Sequence, residues 1–360
     1  MAVATLWLTD FRCFEHVQLD LDVTGLTVLR GLNGAGKTSV LEAIGWLATQ
    51  GSIRGAPREA LVRRGATSAV VRAEVALEGR VALMEAQIPD AGTPRMQVNR
   101  QPVRRRSQLA DTLAVTVFSP EDLQLVQGGP AARRQYLDDV LVSRHARLEA
   151  TCTAVERILR QRGALLRQSN GRLDEVTAST LDVWDDRLAE AGTDLAEARV
   201  ALAEELGPHL SDAYGRLARP AEPVMLGYRR SWEGDLRTAL AAARAEDLRR
   251  QHTSVGPHRD DLDIVIGGRP TRTHASQGEQ RCIALALRLA SHALRREELA
   301  NPPVLLLDDV FSELDARRSE ALVELLPPGQ VLLTTAVEPP GAVPVGKVMD
   351  VVAGTVVAPA

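Results

Sequence analysis

Apolar and polar residues alternate over residues 3–9 and 16–22 and apolar ones cluster over 26–30, the period-2 signature of strands with a buried face. The strand ending Val28-Leu29-Arg30 runs straight into a glycine-rich turn, after which Val40, Leu41, Ile44, Trp46 and Leu47 recur at helical spacing. Residues 68–88 carry two more strand patterns, 95–103 a hairpin and 115–118 a buried strand. The character changes at Ser119, where SPED reads as a helix start with a Ser cap, Pro in the first turn and acids behind it. From there to Arg250 the pattern is mostly helical. Leu181, Trp184, Leu188, Ala191, Leu195 and Leu202 make a heptad seam, with Val155, Ile158, Leu159, Leu165 and Leu166 as a partner stripe and breaks near Gly163 and Gly171. Two helices of ~30 residues would form an arm ~45 Å long. Strand patterns return at 262–266, 304–307 and 331–335, with helices over 279–294 and 314–326. The predicted fold is α/β. A head with a mixed β-sheet, residues 1–118 and 256–360, is split by a helical insert, 119–255, forming a second lobe with a short antiparallel helical arm.

A length of 360 residues agrees with two units, and 45% hydrophobic but only 3% aromatic content makes the core aliphatic. No apolar run approaches the ~18 residues of a membrane span. The N-terminus reaches Asp10 too early for a signal peptide. Cys13, Cys152 and Cys282 are scattered and lack metal-site spacing, as expected of reduced thiols in a cytoplasmic protein without membrane attachment. The net charge of −4 hides an asymmetry. Residues 51–106 hold 11 Arg and 5 acids, a net of +6, which leaves −10 for the remainder. A local basic face on an acidic protein suits DNA, and Arg104, Arg105 and Arg106 are its densest cluster. A solvated, Arg-rich β surface would carry the same charge. Of 43 basic residues only Lys37 and Lys347 are lysines. A lysine kept inside the glycine-rich turn suggests a place where a compact point charge serves and a planar fork does not.

That turn, Gly31-Leu32-Asn33-Gly34-Ala35-Gly36-Lys37-Thr38, matches G-x-x-x-x-G-K-[ST] between a strand and a helix. The physics of such a loop assigns it to ATP. Backbone amides wrap the β-phosphate, Lys37 bridges the β- and γ-phosphates, and the Thr38 hydroxyl ligates Mg²⁺. Val304–Asp309 is an apolar strand ending in two acids, a Walker B pattern in which Asp308 holds the metal and Asp309 orients or deprotonates the attacking water. Ala275–Gln280, ASQGEQ, precedes a helix about 30 residues before Asp308, in the order and spacing of the ABC-ATPase signature. Ser276, with Gly278 and Gln280, is expected at the γ-phosphate held by an opposite protomer; Ser276 with Glu279 also forms a capping box. Ser312–Asp315 matches the D-loop.

FRCFEHVQLDLDVTGLTVLRGLNGAGKTSVLEAI resembles the N-terminal signature of RecF and its SMC-type relatives, and FSPEDLQLVQGGPAARRQYLD, VGPHRDDL and LLLDDVFSELD are similar to RecF-family segments. The resemblance covers nearly the whole chain. It implies an ABC-type ATPase head, ATP-dependent homodimerisation and DNA binding. It further implies loading of the RecA recombinase at single-/double-strand gaps with RecO and RecR, replication-fork maintenance and the SOS response. It also places Arg12 over the nucleotide. Departures from transporter ABC ATPases are Asp309 in place of Glu, which predicts slow hydrolysis, and Thr334-Thr335 in place of the switch histidine. Gln124 is the nearest Q-loop candidate. His258 and Arg259 suit either the dimer interface or DNA, or else a Gly-Pro turn with solvated charges. A transporter ATPase subunit is the alternative, but its heads lack so long a helical insert. A catalytically dead structural clamp disagrees with intact Lys37, Thr38 and Asp308.

Overall fold

The computed structural model describes residues 1–105, 107–219, 222–337 and 345–357, without the side chains of Ser107 and Glu313. Arg106 of the expected DNA cluster lies outside the described residues. In chain order the elements are β1 (Ala2–Phe11), β2 (Phe14–Asp20), β3 (Leu26–Arg30), α1 (Lys37–Thr49), β4 (Ser68–Leu77), β5 (Arg80–Pro89), β6 (Arg95–Val98), β7 (Gln101–Pro102), α2 (Ser107–Ala110) and β8 (Val115–Phe118). Next come α3 (Gln124–Gln127), α4 (Pro130–Arg144), α5 (Ala146–Gln168), α6 (Glu175–Leu217), β9 (Val224–Arg229), α7 (Leu236–Arg250), β10 (Asp261–Ile266), β11 (Arg269–Pro270) and α8 (Thr271–His274). The chain closes with α9 (Gln277–Glu298), β12 (Val304–Leu307), α10 (Ala316–Leu325), β13 (Val331–Thr335), β14 (Val345–Val352) and β15 (Thr355–Val357).

Two compact units emerge, one of Met1–Leu123, Asp212–Ala221 and Ser276–Ala360, the other of Gln124–Ser211 and Glu222–Ala275. The first holds two sheets. One is antiparallel, in the order β2-β1-β4-β5-β6-β7. The other, β15-β14-β3-β13-β12-β8, is parallel except for its β14–β15 edge. Alternation along β4 sends Ala69, Val71, Ala73 and Val75 into a core that also takes in Leu6, Leu8, Leu29, Leu306 and Leu332. Helix α1 packs in that same core through Val40, Leu41, Ile44, Trp46 and Leu47, all at most 1% exposed. Being apolar on nearly every side, it cannot face solvent along any stripe.

In the parallel sheet β13 lies between β3 and β12, so the C-terminal ends of these three strands share one edge. The glycine-rich turn leaves β3 there and Asp308 leaves β12 there, where ligands of open parallel sheets bind.

The second unit is helical around a three-stranded sheet, β11-β10-β9. Its seam follows the predicted heptad, with Leu181, Leu188, Leu195 and Leu202 at most 2% exposed. Arg162 is 0% exposed and joins α5 to Asp185 of α6 and Asp247 of α7, at 2.7 Å each. Two expectations change here. The arm is unequal, 23 residues in α5 against 43 in α6, because Gly163 sits inside α5 and only Gly171, at φ +78°, turns the chain. The strand at 262–266, assigned to the head, pairs with β9, a strand hidden within a stretch that reads as helical. The chain therefore rejoins the first unit at Ser276 and not at 256.

Candidate active site

Gly36 caps α1 with φ +112°, and a Cβ there would stand 2.6 Å from Cys13 Sγ and 3.0 Å from the Phe14 ring. Glycine is thus required by both conformation and space. Gly34, at φ +82°, shares the left-handed conformation. Lys37 is 6% exposed, and its Nζ donates to the carbonyls of Gly31 at 2.8 Å and Leu32 at 3.0 Å. Helix α1 has no side-chain cap, so its first amides and dipole present a positive end to an anion.

Asp308 is 4% exposed, and its Oδ1 accepts from Thr38 Oγ1 at 2.8 Å and Thr334 Oγ1 at 2.6 Å. The Thr334 hydroxyl also accepts from the Asp309 amide at 2.9 Å. The threonine standing where transporters carry the switch histidine is therefore spent on the Walker B strand, which follows from β13 lying between the two motifs. Burial pushes the Asp308 carboxyl above its ordinary range, opposed by the hydrogen bonds from Thr334 and Thr38. Thr38 and Asp308 together offer hard oxygen donors at one point, a donor set that fits magnesium.

Asp309 takes the left-handed conformation at φ +48°, which Asp tolerates better than most non-glycine residues. Ser312 Oγ donates to its Oδ2 at 2.8 Å, while its Oδ1 is buried with no hydrogen-bond partner among the described residues. A buried carboxylate oxygen left without a partner is costly, and in this conformation it is closed to solvent although Asp309 itself lines the cavity described next.

A cavity of about 620 Å³ brings together Arg12, Asn33, Gly34, Gly36, Lys37, Thr38 and Asp309. It also takes in Ser39 of α1, Cys13 next to Arg12, and Arg54, Ala60, Val62 and Arg64 of the segment after α1, the last four of which no local motif marks. Arg12, at φ +55°, is bonded bidentately to Glu42, through Nε at 2.6 Å and Nη2 at 2.8 Å. Ala35 of the turn is buried and Leu32 is 83% exposed.

The signature residues do not line this cavity. Ser276 caps α9 in the expected box, its Oγ accepting from the Glu279 amide at 3.3 Å while Glu279 Oε2 accepts from the Ser276 amide at 2.7 Å. Ser276 is exposed and Gly278 half-buried, with the Arg318 guanidinium directly over it, 2.3 Å from where a Cβ would stand. Gln280, expected at the nucleotide, is 6% exposed, which leaves Ser276 and Gly278 as the accessible members of the motif. Asp315 Oδ1 accepts from the Arg318 amide at 2.9 Å and caps α10.

Arg104 and Arg105 are exposed between β7 and α2, their amides bonded to Gln108 Oε1. Gln124 is exposed at the start of α3. His258 is half-buried, its Nε2 3.0 Å from the Thr253 carbonyl, and burial lowers its pKa to about 4. Arg259 donates to the same carbonyl. His258 is thus withdrawn from solvent, while Arg259 stays exposed and is anchored through that carbonyl. No helix among the described residues is long and apolar enough to cross a membrane.

The model of the RecF/RecN/SMC N-terminal domain matches residues 2–337. The DNA replication and repair protein RecF of Frankia alni is 44% identical over 360 residues, covering 94% of each chain. That of Streptomyces avermitilis is 42% identical over 355 residues, again covering 94% of each. A solved structure of the recombination mediator protein RecF with ATP, from the RecFOR pathway, superposes with a TM-score of 0.90 at 26% identity, covering 100% of this chain and 98% of that one. With the family model spanning most of the chain, relatives above 40% identity over 94% of it and an ABC-type head, the chain belongs to the RecF family of SMC-type ATPases.

Proposed function

We propose that this protein binds MgATP at the cavity around Lys37 and uses it as a switch for holding DNA in recombinational repair. The observation that carries the reading is the convergence of Lys37, Thr38, Asp308 and Asp309 on one sheet edge, with the signature serine exposed and outside the cavity. One chain therefore supplies only half of each ATP site. A second copy, apposed head to head, brings its Ser276 and the first amides of its α9 to the γ-phosphate. Thr38 and Asp308 would hold the magnesium, which when bound neutralises charge on the phosphates. Lys37 leaves the carbonyls of Gly31 and Leu32 for the phosphates, and Asp309 orients or deprotonates the attacking water. An Asp where transporter ATPases carry Glu suits slow turnover. The basic segment 51–106 binds the DNA backbone. RecO, RecR and RecA loading at gaps follow for this chain from its family.

Two substitutions with opposite outcomes test the sandwich. Ser276→Arg should still bind ATP as a monomer but fail to dimerise or hydrolyse it. Asp309→Asn keeps the metal-binding carboxylate, so ATP binds and the dimer forms, but turnover stalls and the closed population accumulates on DNA. Light scattering with ATP and DNA dissociation rates read both. A Ser276→Arg protein that dimerises with ATP refutes the shared site.

A further inference from the structure

Glu42 is a charged residue at 1% exposure in the middle of α1, one turn beyond Thr38, and no step above uses it. Both its oxygens are committed. Oε2 accepts from Arg12 Nε at 2.6 Å; Oε1 accepts from Arg12 Nη2 at 2.8 Å and from the Ser52 hydroxyl. Each donor carries part of the cavity wall. Arg12 passes on through Nη1 to the Ala60 carbonyl at 2.7 Å, and Arg12, Ala60 and Val62 all line the cavity. Ser52 Oγ accepts from the amides of Arg54 and Ala56, at 3.1 Å each, and so shapes the turn that presents Arg54 to the cavity beside Asp309. The charge of Arg54 reaches Asp308, whose proton affinity it lowers.

A carboxylate inside an apolar helix is costly to desolvate even when paired, and an apolar residue of its size would pack among Val40, Leu41 and Ile44 without that cost. What the carboxylate adds is geometry. It anchors the side chain of Arg12, whose backbone is left-handed, and the Ser52–Ala56 turn that carries Arg54, whose own guanidinium faces Glu121 at 3.6 Å, so two loops of the cavity wall depend on one buried group. We propose that Glu42 is a positioning residue that sets Arg12 and Arg54 around the phosphate chain of a bound nucleoside triphosphate and gives the site its preference for triphosphate over diphosphate. The proposal rests on the nucleotide reading above. Arg54 stands at the Asp308–Asp309 end of the cavity, where metal and water act, so its loss should be felt by the terminal phosphate most.

Glu42→Gln keeps the shape and an acceptor for Ser52 but removes the charge and one acceptor for Arg12. Fluorescent ATP and ADP analogues titrated against this variant and the native protein give the test. The expected result is ATP affinity reduced ~10-fold or more with ADP affinity nearly unchanged, and an unfolding transition still cooperative. A loss shared equally by ATP and ADP, or an unchanged ATP/ADP ratio, overturns the proposal. Should Glu42→Gln fail to fold, Ser52→Ala leaves the Arg12–Glu42 pair intact and should lower the same ratio through Arg54 alone; an unaltered ratio there also overturns it. In a double-mutant cycle, adding Arg12→Gln to Glu42→Gln should cost less than the sum of the two single losses. Lys37→Met is the separate control. If that variant binds ATP normally, the nucleotide reading itself falls, whatever Glu42 does.

Discussion

Thr334→Val replaces one hydroxyl by a methyl of equal size and removes two hydrogen bonds at the Walker B strand. Thr334 is 0% exposed and Asp308 4%, so neither partner regains water. The bond to the Asp308 carboxylate, 2.6 Å long, belongs to the charge-assisted class at about 1.5–3 kcal/mol, and the neutral bond from the Asp309 amide adds about 0.5–1.5 kcal/mol. Their sum, about 3 kcal/mol, should lower the melting temperature of the ATPase unit by roughly 6–12 °C. The functional effect has a definite sign. The Thr334 bond favours ionised Asp308, so losing it pushes that carboxyl, already raised by burial, higher still. Magnesium and a proton then compete more closely for the same oxygen, and the magnesium concentration needed for turnover should rise, more at pH 6 than at pH 8. Thr334→Ser keeps the hydroxyl and should retain the native magnesium dependence. Urea unfolding of the ligand-free protein and magnesium titrations of ATP hydrolysis at the two pH values give both numbers. A Thr334→Val protein within about 0.5 kcal/mol of the native stability, with unshifted magnesium dependence, would refute the role assigned to this threonine.

Two other outcomes are expected. His292 is 2% exposed, with Nδ1 3.1 Å from Thr116 Oγ1, and burial lowers its pKa from 6.5 to about 4. The folded state thus binds fewer protons than the unfolded one between these values, and stability is lost as pH falls from 6.5 towards 4. The slope is up to ~1.4 kcal/mol per pH unit, and acid titration of His292→Asn should show it reduced by that one-proton contribution. On the basic segment, replacing Arg104, Arg105 and Arg106 together with Ala should weaken DNA binding and flatten its salt dependence by up to ~0.9 for each phosphate no longer neutralised, with ATP binding intact; an unaltered slope moves the DNA path elsewhere.

The chemistry of the phosphates is local in this chain and was legible in the sequence. A glycine needed for a left-handed turn, a lysine one residue later and a threonine after it are consecutive, and the apolar run ending in Asp308-Asp309 announces itself by composition. The strands that flank these motifs, Val304–Leu307 and Val331–Thr335, match to the residue because four or five fully buried positions in a row, nearly all apolar, admit little else. The heptad seam of α6 was equally plain, since helical spacing shows within a few turns.

What the tertiary structure alone decided are the partnerships over long separations. Thr334 lies 26 residues from Asp308 and Asp308 lies 270 from Thr38. They meet because the sheet inserts β13 between β3 and β12, and strand order is not written in any local period. Glu42 looks like an ordinary acid on a helix until two loops close over it. Strand β9 was hidden because its partner, β10, follows it only after α7, and a short strand gains its stability from pairing and not from its own residues. The unequal arm has the same cause. Helix ends are set by what packs against them, so Gly163 is carried inside a helix while Gly171, free to take positive φ, makes the turn.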